Sequence, residues 1–477
     1  MTEHASEGAA VSASQSCIEP DCGASFHLDE RIYVCPRCGG LLEIVRPPEN
    51  VGEAKALRAV WEARLSSRDA RDQSGVWRFR ELLPFTDDAP VISLREGNTP
   101  LYDAPRAAGY CGLGALQLKY QGANPTGSFK DTGMTTAVTQ AVRLGARTVA
   151  CASTGNTAAS LAAYAARARL QCAILVPRGQ VSHAKLAQSL DYGAHVFELD
   201  GNFDDAMRVV RELAADESTY LVNSINPFRL EGQKTVAAEL LEQCGWRAPD
   251  HLIMPGGNLG NSSAFGKGFK ELLELGLTDR LPRITVVQAE GAAPLATLFD
   301  ERRAGQSAPE QILAGELTPV EQPQTLATAI KIGAPVSWKK ALRAVLASGG
   351  RVLSVSEQEI ADAKAIIGRD GVGCEPASAT TVAGIRRLVT EGFIGTGERV
   401  VAVLTGHLLK DTDYVINYHR GTLFLDGDRG EDQSRPETRE ARRITGAYAN
   451  APRRVQASGA AILEHIKRAE EGSVGET

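Results

Sequence analysis

The sequence lacks the features that would place it in a membrane or outside the cell. No apolar stretch approaches the roughly 20 residues that a transmembrane helix needs. Residues 1–15 have neither a basic start nor an apolar stretch, so no signal peptide is visible. These absences predict a cytoplasmic protein that has no membrane partner.

An excess of positive charge is also absent. The 477 residues include 52 Lys and Arg against 58 Asp and Glu, which gives a net charge of −6. General nucleic-acid binding depends on cationic side chains that neutralise phosphates, so we expect no nucleic-acid partner. With 43% hydrophobic residues, a chain this long exceeds what one core usually supports, which predicts two lobes and a small appendage.

A disulfide framework is not expected, because the nine cysteines divide unevenly along the chain. Five are scattered, several within apolar runs, as reduced buried thiols are. The other four form two close pairs within residues 16–46, namely Cys17, Cys22, Cys35 and Cys38. Four thiolates in such pairs suit a tetrahedral zinc ion, which predicts a zinc-ribbon-like element with a structural or docking role.

Between residues 115 and 406, short apolar strands alternate with alanine-rich helical stretches. Uninterrupted Val, Ile and Leu strands with helical connections indicate an α/β fold whose parallel sheet is covered on both faces. The predicted strands are 116–120, 148–152, 172–176, 252–254, 284–288 and 400–404, and helical stretches such as 158–168 and 265–275 separate them.

Shifts in this pattern predict the domain boundaries. We expect a disordered N-terminus over residues 1–15, the zinc-ribbon-like element over 16–46, a core over 47–420 and a tail over 421–477. The tail has no strand pattern, and one helix is expected there near residues 460–470. Residues 300–325 are polar and rich in Pro and Gln, which indicates a surface excursion.

The loop after the first predicted strand contains a lysine in an unusual position. Ser128, followed three residues later by Asp131, predicts a helix start that places Lys130 in the first turn. The helix dipole disfavours a cation there, so we expect a lowered pKa and a neutral amine that can attack an aldehyde. Most isolated lysines are ordinary surface residues, so this loop alone does not decide its role.

Three other strand ends lead into polar or glycine-rich loops, where open parallel sheets bind their ligands. Residues 153–157 are helix-capping types that could also hold an anion or a phenolic oxygen. Residues 257–261 expose backbone N–H groups at a helix N-terminus, as an anion cradle does, and residues 405–407 end the last strand. No Gly-x-Gly-x-x-Gly turn follows the first strand, which argues against a dinucleotide-dependent dehydrogenase.

Together these stretches resemble the pyridoxal 5'-phosphate (PLP) enzymes of fold type II, the tryptophan synthase β-like family, and within it the threonine synthases. The matching stretches follow the family order: 94–101, 124–131, 153–157, 223–234, 257–261, 325–333, 375–378 and 405–407. The resemblance implies two three-layer parallel-sheet lobes, of which the smaller and mobile one covers about residues 124–230. The cysteine pairs match an N-terminal zinc-ribbon-like element that some members carry.

The resemblance also implies a role for individual residues. Lys130 would hold PLP as a Schiff base and act as the catalytic base. The other implied cofactor contacts are Asn156 at the ring hydroxyl, Gly257, Asn258, Leu259, Gly260 and Asn261 at the phosphate, and Thr405 at the pyridine nitrogen.

The implied substrate is O-phospho-L-homoserine, which reacts with water to give L-threonine and phosphate. The positions that match its contacts are Thr154, Thr157, Ser224, Arg229 and Asn261. Arg229 is the expected main anion partner, because its planar fork fits a phosphate better than a lysine does. Relatives of this fold are commonly dimers, which predicts a homodimer.

Two alternative functions stay open. The Ser-Phe-Lys-Asp run also allows other lyases of this fold, such as threonine dehydratase or a cysteate synthase-like enzyme that uses phosphoserine. From a different class, the core could be catalytically inactive and the zinc ribbon could act as an adaptor. The ribbon contains few basic residues, which argues against a nucleic-acid adaptor.

Overall fold

A computed structural model describes residues 13–47, 52–178, 183–304, 308–425, 443–455, 457–463 and 466–467. The chain divides into two compact units, Met1–Thr412 and Asp413–Thr477. Most of the predicted disordered segment 1–15 lies outside the described residues, although Ser14 and Gln15 belong to the first strand. Within the described ranges, no helix has the length and apolar character needed to span a bilayer.

The first unit begins with a small antiparallel sheet. In this sheet β1 (Ser14–Cys17) lies between β2 (Ser25–His27) and β3 (Leu42–Val45). A helix, α1 (Ala54–Arg64), and a 3-10 helix (Trp77–Leu82) follow. The rings of Trp61 and Phe79 meet edge to face with their centres 5.0 Å apart, and both side chains are buried, so this segment packs onto the main core.

The larger lobe contains a six-stranded sheet. Its spatial order is β12 (Val352–Val355), β11 (Arg283–Ala289), β10 (His251–Pro255), β13 (Val400–Leu404), β5 (Gln117–Tyr120) and β4 (Leu101–Asp103). All neighbouring strands are parallel except β4, which runs antiparallel to β5 at the edge of the sheet.

Helices cover both faces of the larger sheet. On one face α13 (Pro376–Thr390) packs beside α2 (Pro105–Cys111) and α12 (Glu357–Arg369). On the other face, α7 (Phe228–Gln243), α8 (Gly260–Glu274) and α11 (Trp338–Ala347) share an apolar core with the strands. Two further helices, α9 (Pro294–Ala304) and α10 (Pro309–Leu313), lie beside α11 and β12.

The smaller lobe has a four-stranded, fully parallel sheet in the order β8 (His195–Leu199), β7 (Gln171–Pro177), β6 (Thr148–Ala152) and β9 (Thr219–Leu221). One face carries α3 (Lys130–Arg143), α4 (Asn156–Ala168) and α5 (His183–Asp191), and the other carries α6 (Phe203–Leu213). Separate apolar clusters fill the two interfaces. The predicted pair of three-layer parallel-sheet lobes is therefore confirmed.

All six predicted strands are present, and their ends differ from the prediction by no more than two residues. In the two larger sheets, the strands that the apolar pattern did not reveal are the edge strands β4, β8 and β12 and the three-residue β9, and the three strands of the small antiparallel sheet were not predicted either. Edge and very short strands lack the uninterrupted buried run on which the prediction depended. The helix α14 (Thr412–Arg420) is followed by helical residues 459–463 and 466–467, which overlap the range predicted for a tail helix.

Candidate active site

Lys130 is the first residue of α3, beyond the carboxyl end of β5. Its amine lies 4.2 Å from the centre of the Phe129 ring. Burial, followed by the positive charge of Arg229, lowers the pKa of Lys130 to about 7, and the negative charge of Glu375 opposes this shift. The lowered pKa agrees with the expectation from the sequence, and its largest cause is burial.

The start of α3 differs from the prediction. Phe129 occupies the N-cap position, and the Ser128 hydroxyl is buried without a hydrogen-bond partner in the described part of the chain. The Asp131 carboxylate accepts hydrogen bonds from the Thr126 N–H and hydroxyl, both at 2.7 Å, and from the Ser160 hydroxyl at 2.5 Å. The prediction that Ser128 caps the helix was wrong. The Asp131 carboxylate instead connects the loop residue Thr126 to Ser160 of α4.

The loop of Lys130 lies beside the loop that contains Thr405. The pairing of Leu404 with Tyr120 brings the carboxyl ends of β13 and β5 to the same level. The Phe129 N–H then donates a hydrogen bond to the Thr405 carbonyl at 2.9 Å. Two predicted site residues that are far apart in the sequence are thereby neighbours.

A buried carboxylate connects two of the predicted cofactor residues. The Thr405 hydroxyl donates to Glu375 Oε1 at 3.2 Å, and Asn156 Nδ2 donates to Glu375 Oε2 at 3.0 Å. Ser378 Oγ accepts the Thr405 N–H at 2.8 Å. Glu375 was identified from the sequence only as part of a matching stretch, because an acid before a Pro-initiated helix is typical of ordinary capping.

The glycine-rich loop at residues 257–261 connects β10 to α8. Leu259 is the N-cap residue of α8 and adopts a left-handed φ of 64°, which costs a non-glycine residue about 1–2 kcal/mol. A Cβ on Gly257 would lie only 3.1 Å from Ile330 Cγ2, so glycine allows this loop to approach a second 3-10 helix, Thr328–Ile330. The first N–H groups of a helix have no partner within it, which makes this end suited to a phosphate.

Several buried polar atoms near these loops have no hydrogen-bond partner within the described ranges. They are Ser128 Oγ, Asn156 Oδ1, Arg229 Nε, Asn261 Oδ1 and Ser262 Oγ. Buried polar atoms are normally bonded, and each unmet one costs about 1–3 kcal/mol. The hydroxyl and N–H groups among these atoms can donate to phosphate oxygens, and a ring hydroxyl can donate to the Asn156 amide oxygen, so these residues fit PLP and a phosphorylated substrate.

The predicted substrate residues lie after strand ends or in the first turns of helices, and hydrogen bonds connect these segments. They are Thr154 and Thr157 after β6, Ser224 after β9, Arg229 in α7 and Asn261 in α8. The Asn223 side chain pairs with the backbone N–H and carbonyl of Ala152 at 3.1 and 3.0 Å, which joins the ends of β6 and β9. Ser224 Oγ accepts a hydrogen bond from Asn258 Nδ2 at 2.7 Å, which links this region to the glycine-rich loop.

Arg229 is a buried cation close to Lys130. Only 2% of the residue is exposed, and its Nη1 donates a hydrogen bond to the Val222 carbonyl at 3.4 Å. A Cβ on Gly133 of α3 would lie 2.6 Å from the Arg229 carbonyl, so glycine permits α3 and α7 to pack closely here. Burial lowers the pKa of Arg229 to about 10, which leaves it charged at neutral pH.

The four predicted metal ligands form one cluster at the end of β1 and in the segments that connect the strands of the small antiparallel sheet. The sulfur atoms of Cys17, Cys22, Cys35 and Cys38 all lie within 4.8 Å of one another. Tetrahedral zinc with bonds of about 2.3 Å would separate its sulfurs by about 3.8 Å, and the sulfurs lie 3.4 Å apart in Cys17 and Cys38 and 3.7 Å apart in Cys22 and Cys35. All nine cysteines are free thiols in the described residues.

The class of the protein follows from the two parallel-sheet lobes and the loops between them: it is a PLP-dependent enzyme of fold type II. A family model described as "Pyridoxal-phosphate dependent enzyme" matches residues 92–406. Among solved structures, a fungal L-serine ammonia-lyase from Rhizomucor miehei has a TM-score of 0.57 at 22% identity and covers 69% of this chain and 99% of that one. Threonine deaminase isoform 2 from Solanum lycopersicum has a TM-score of 0.55 at 19% identity, with 76% and 89% covered. These likenesses concern the fold alone.

Comparison with curated proteins narrows the class. The chain is 47% identical over 415 residues to the threonine synthase of Methanocaldococcus jannaschii, which covers 87% of this chain and 97% of that protein. It is also 47% identical over 337 residues to the threonine synthase of Mycobacterium tuberculosis, with 70% and 88% covered. The chain belongs to the threonine synthase family.

Proposed function

We propose that this protein converts O-phospho-L-homoserine and water to L-threonine and phosphate. The observation that supports the proposal most directly is the environment of Arg229, a buried cation whose Nε has no partner in the described residues and whose charge acts on Lys130. A phosphorylated substrate requires such a cation beside the reacting lysine, because burial of a phosphate is costly without a charged partner.

We infer that the loops at the strand ends hold PLP. Lys130 would bind its aldehyde, Asn156 would bond to its ring hydroxyl and Thr405 would face its pyridine nitrogen. Its phosphate would be held by the N–H groups of the glycine-rich loop, which contains Gly257, Asn258, Leu259, Gly260 and Asn261. When bound, PLP supplies an electron sink for the negative charge that develops on the substrate carbons.

Lys130 is the proposed general base. A pKa of about 7 keeps a large fraction of its amine neutral near neutral pH, so the amine can accept a proton. In the proposed sequence, it takes the substrate Cα proton, gives that proton up to become neutral again, and then takes a Cβ proton. Phosphate leaves from Cγ, and the hydroxyl of water adds at Cβ. Protons return to the substrate carbons to complete L-threonine.

The substrate phosphate and carboxylate would be bound by the polar groups around Arg229. Arg229 supplies the charge, and the proposed hydrogen-bonding partners are Thr154, Thr157, Ser224 and Asn261. Closure of the smaller lobe would exclude water until phosphate has left, because early water would divert the reaction. The hydrogen bonds that join the ends of β6 and β9 and connect Ser224 to the glycine-rich loop support this assignment of substrate-binding residues.

We also propose that Cys17, Cys22, Cys35 and Cys38 bind a structural zinc ion. The sulfur separations support tetrahedral coordination, and four thiolates form a closed structural site rather than an open catalytic one. Metal analysis of purified protein should give one zinc per chain, and Cys38→Ser should lower that ratio. A cytoplasmic location and a homodimer remain predictions, and light scattering of the purified protein tests the second.

The deciding experiment is incubation with O-phospho-L-homoserine while phosphate and threonine are measured together. We expect equal amounts of both products from the wild type and neither from Lys130→Ala. Release of phosphate from phosphoserine instead would favour a cysteate synthase-like enzyme, and consumption of threonine would favour a dehydratase. A colourless protein that is inactive on all three substrates would favour the zinc-ribbon adaptor.

A further inference from the structure

The cysteine cluster is connected to the larger lobe by an ion pair. Glu19 lies between Cys17 and Cys22, and both of its carboxylate oxygens accept hydrogen bonds from Lys339 Nζ at 2.9 Å. A Cβ on Gly40 would lie 2.7 Å from Glu19 Cγ, so the neighbouring backbone confines the Glu19 side chain. Lys339 is the second residue of α11.

The start of α11 is bonded to the glycine-rich loop. The Val336 N–H donates to Asn258 Oδ1 at 2.6 Å, and the Ser337 N–H donates to the Asn258 carbonyl at 3.2 Å. The same Asn258 side chain donates to Ser224 Oγ at 2.7 Å. The position of the Lys339 segment therefore determines where Asn258 and the Ser224 hydroxyl lie.

The segment that connects β2 to β3 also packs near the residues that adjoin Asn258 and Ser224. Leu41, Tyr33 and Val336 are partly buried and pack against the apolar cluster that contains Ile225. The Tyr33 hydroxyl accepts the Leu221 N–H at 2.8 Å, in the strand that precedes Ser224. The segments on both sides of the Asn258–Ser224 contact thus pack near the residues that connect β2 to β3.

We propose that the four-cysteine element positions the anion-binding end of the active site. With a metal ion holding Cys17 and Cys22, Glu19 keeps Lys339 and the start of α11 in place, and Asn258 then holds Ser224. Glu19 and Lys339 are positioning residues that do not touch the substrate. The inference rests on the proposed function, because it takes this pocket to bind the substrate phosphate.

The first test is Lys339→Met in the metal-loaded, PLP-loaded enzyme. We expect the KM for O-phospho-L-homoserine to rise about twofold to fivefold, since partly exposed ion pairs contribute up to about 1 kcal/mol. The kcat and the PLP content should change little, and Lys339→Arg should restore the wild-type KM. The matched control is Lys270→Met, which removes an exposed lysine that pairs with Glu274 at 3.7 Å in α8.

The second test avoids turnover. Calorimetry should show that Lys339→Met weakens binding of inorganic phosphate to the PLP-loaded enzyme by the same factor as it raises KM. Glu19→Gln should have the same effect, and the double variant should be no weaker than either single variant, because both changes break one interaction.

The third test removes the metal with a chelator. Phosphate affinity should fall in the wild type and should not fall further in Lys339→Met. The inference is overturned if Lys339→Met behaves like Lys270→Met, or if the effects of metal removal and of the variant add. A wild type that releases no phosphate from O-phospho-L-homoserine would instead contradict the proposed function, whereas an active wild type with unaffected variants would contradict only this inference.

Discussion

The pH dependence of cofactor capture tests the environment of Lys130. Only the neutral amine attacks an aldehyde, so the rate depends on the fraction of Lys130 that is neutral. With the ordinary lysine pKa of 10.5 that fraction is about 0.03% at pH 7, and with a pKa of about 7 it is about half. We therefore expect capture at pH 7 to be about three orders of magnitude faster than for an unperturbed lysine in the same site.

Two substitutions should move this pH profile in opposite directions. Arg229→Met removes the positive charge that disfavours the protonated amine, so the pKa of Lys130 should rise and the inflection should move to higher pH. Glu375→Gln removes the negative charge that favours the protonated amine, so the inflection should move to lower pH.

The assay mixes apoenzyme with PLP in a stopped-flow instrument and follows the visible absorbance of the bound cofactor across the neutral and alkaline range. A simple amine measured in the same buffers corrects for the ionisation of PLP itself, and Lys130→Ala provides the baseline. A wild-type rate that continues to rise tenfold per pH unit up to the ordinary lysine pKa would refute the reasoning. Shifts of the same sign in both variants would show that neighbouring charge is not the cause.

Three further predictions concern a buried ion pair, the hydrogen bonds between two strand ends and the residue proposed at the ring nitrogen. Lys119→Met should destabilise the fold by about 3–5 kcal/mol in urea denaturation, because it removes the positive charge that pairs with buried Glu239, and Glu239→Gln in the same chain should recover part of the loss. Asn223→Ala should cost about 2–4 kcal/mol and raise KM, since it removes two hydrogen bonds to Ala152. Thr405→Asp should change the ratio of threonine to other products, because a full negative charge at the ring nitrogen would let the cofactor hold more of the negative charge from the substrate. An unchanged ratio would count against a role of Thr405 at the ring nitrogen.

Strands and loops that are marked by a short run of characteristic residues were predictable from the sequence. The buried parallel strands consist of uninterrupted apolar residues, so their positions follow from local composition. The Lys130 loop, the glycine-rich loop and the cysteine pairs are also short local patterns. The cysteine pairs suit zinc by residue type, whereas the roles expected of Lys130 and of the glycine-rich loop came from the resemblance to the PLP enzymes. The antiparallel edge strand β4 and the exposed edge strand β8 lack such a run and were not predicted.

The tertiary structure decided which distant groups meet. Glu375 was not assigned a role because nothing near it in the sequence indicates that its carboxylate reaches Asn156 and Thr405. The pKa of Lys130 depends on burial and on Arg229, about a hundred residues away in the chain, and the Glu19–Lys339 pair joins residues 320 positions apart. Local composition determines which segments form strands, helices and loops, whereas burial and charge interactions depend on packing between segments that the sequence order does not specify.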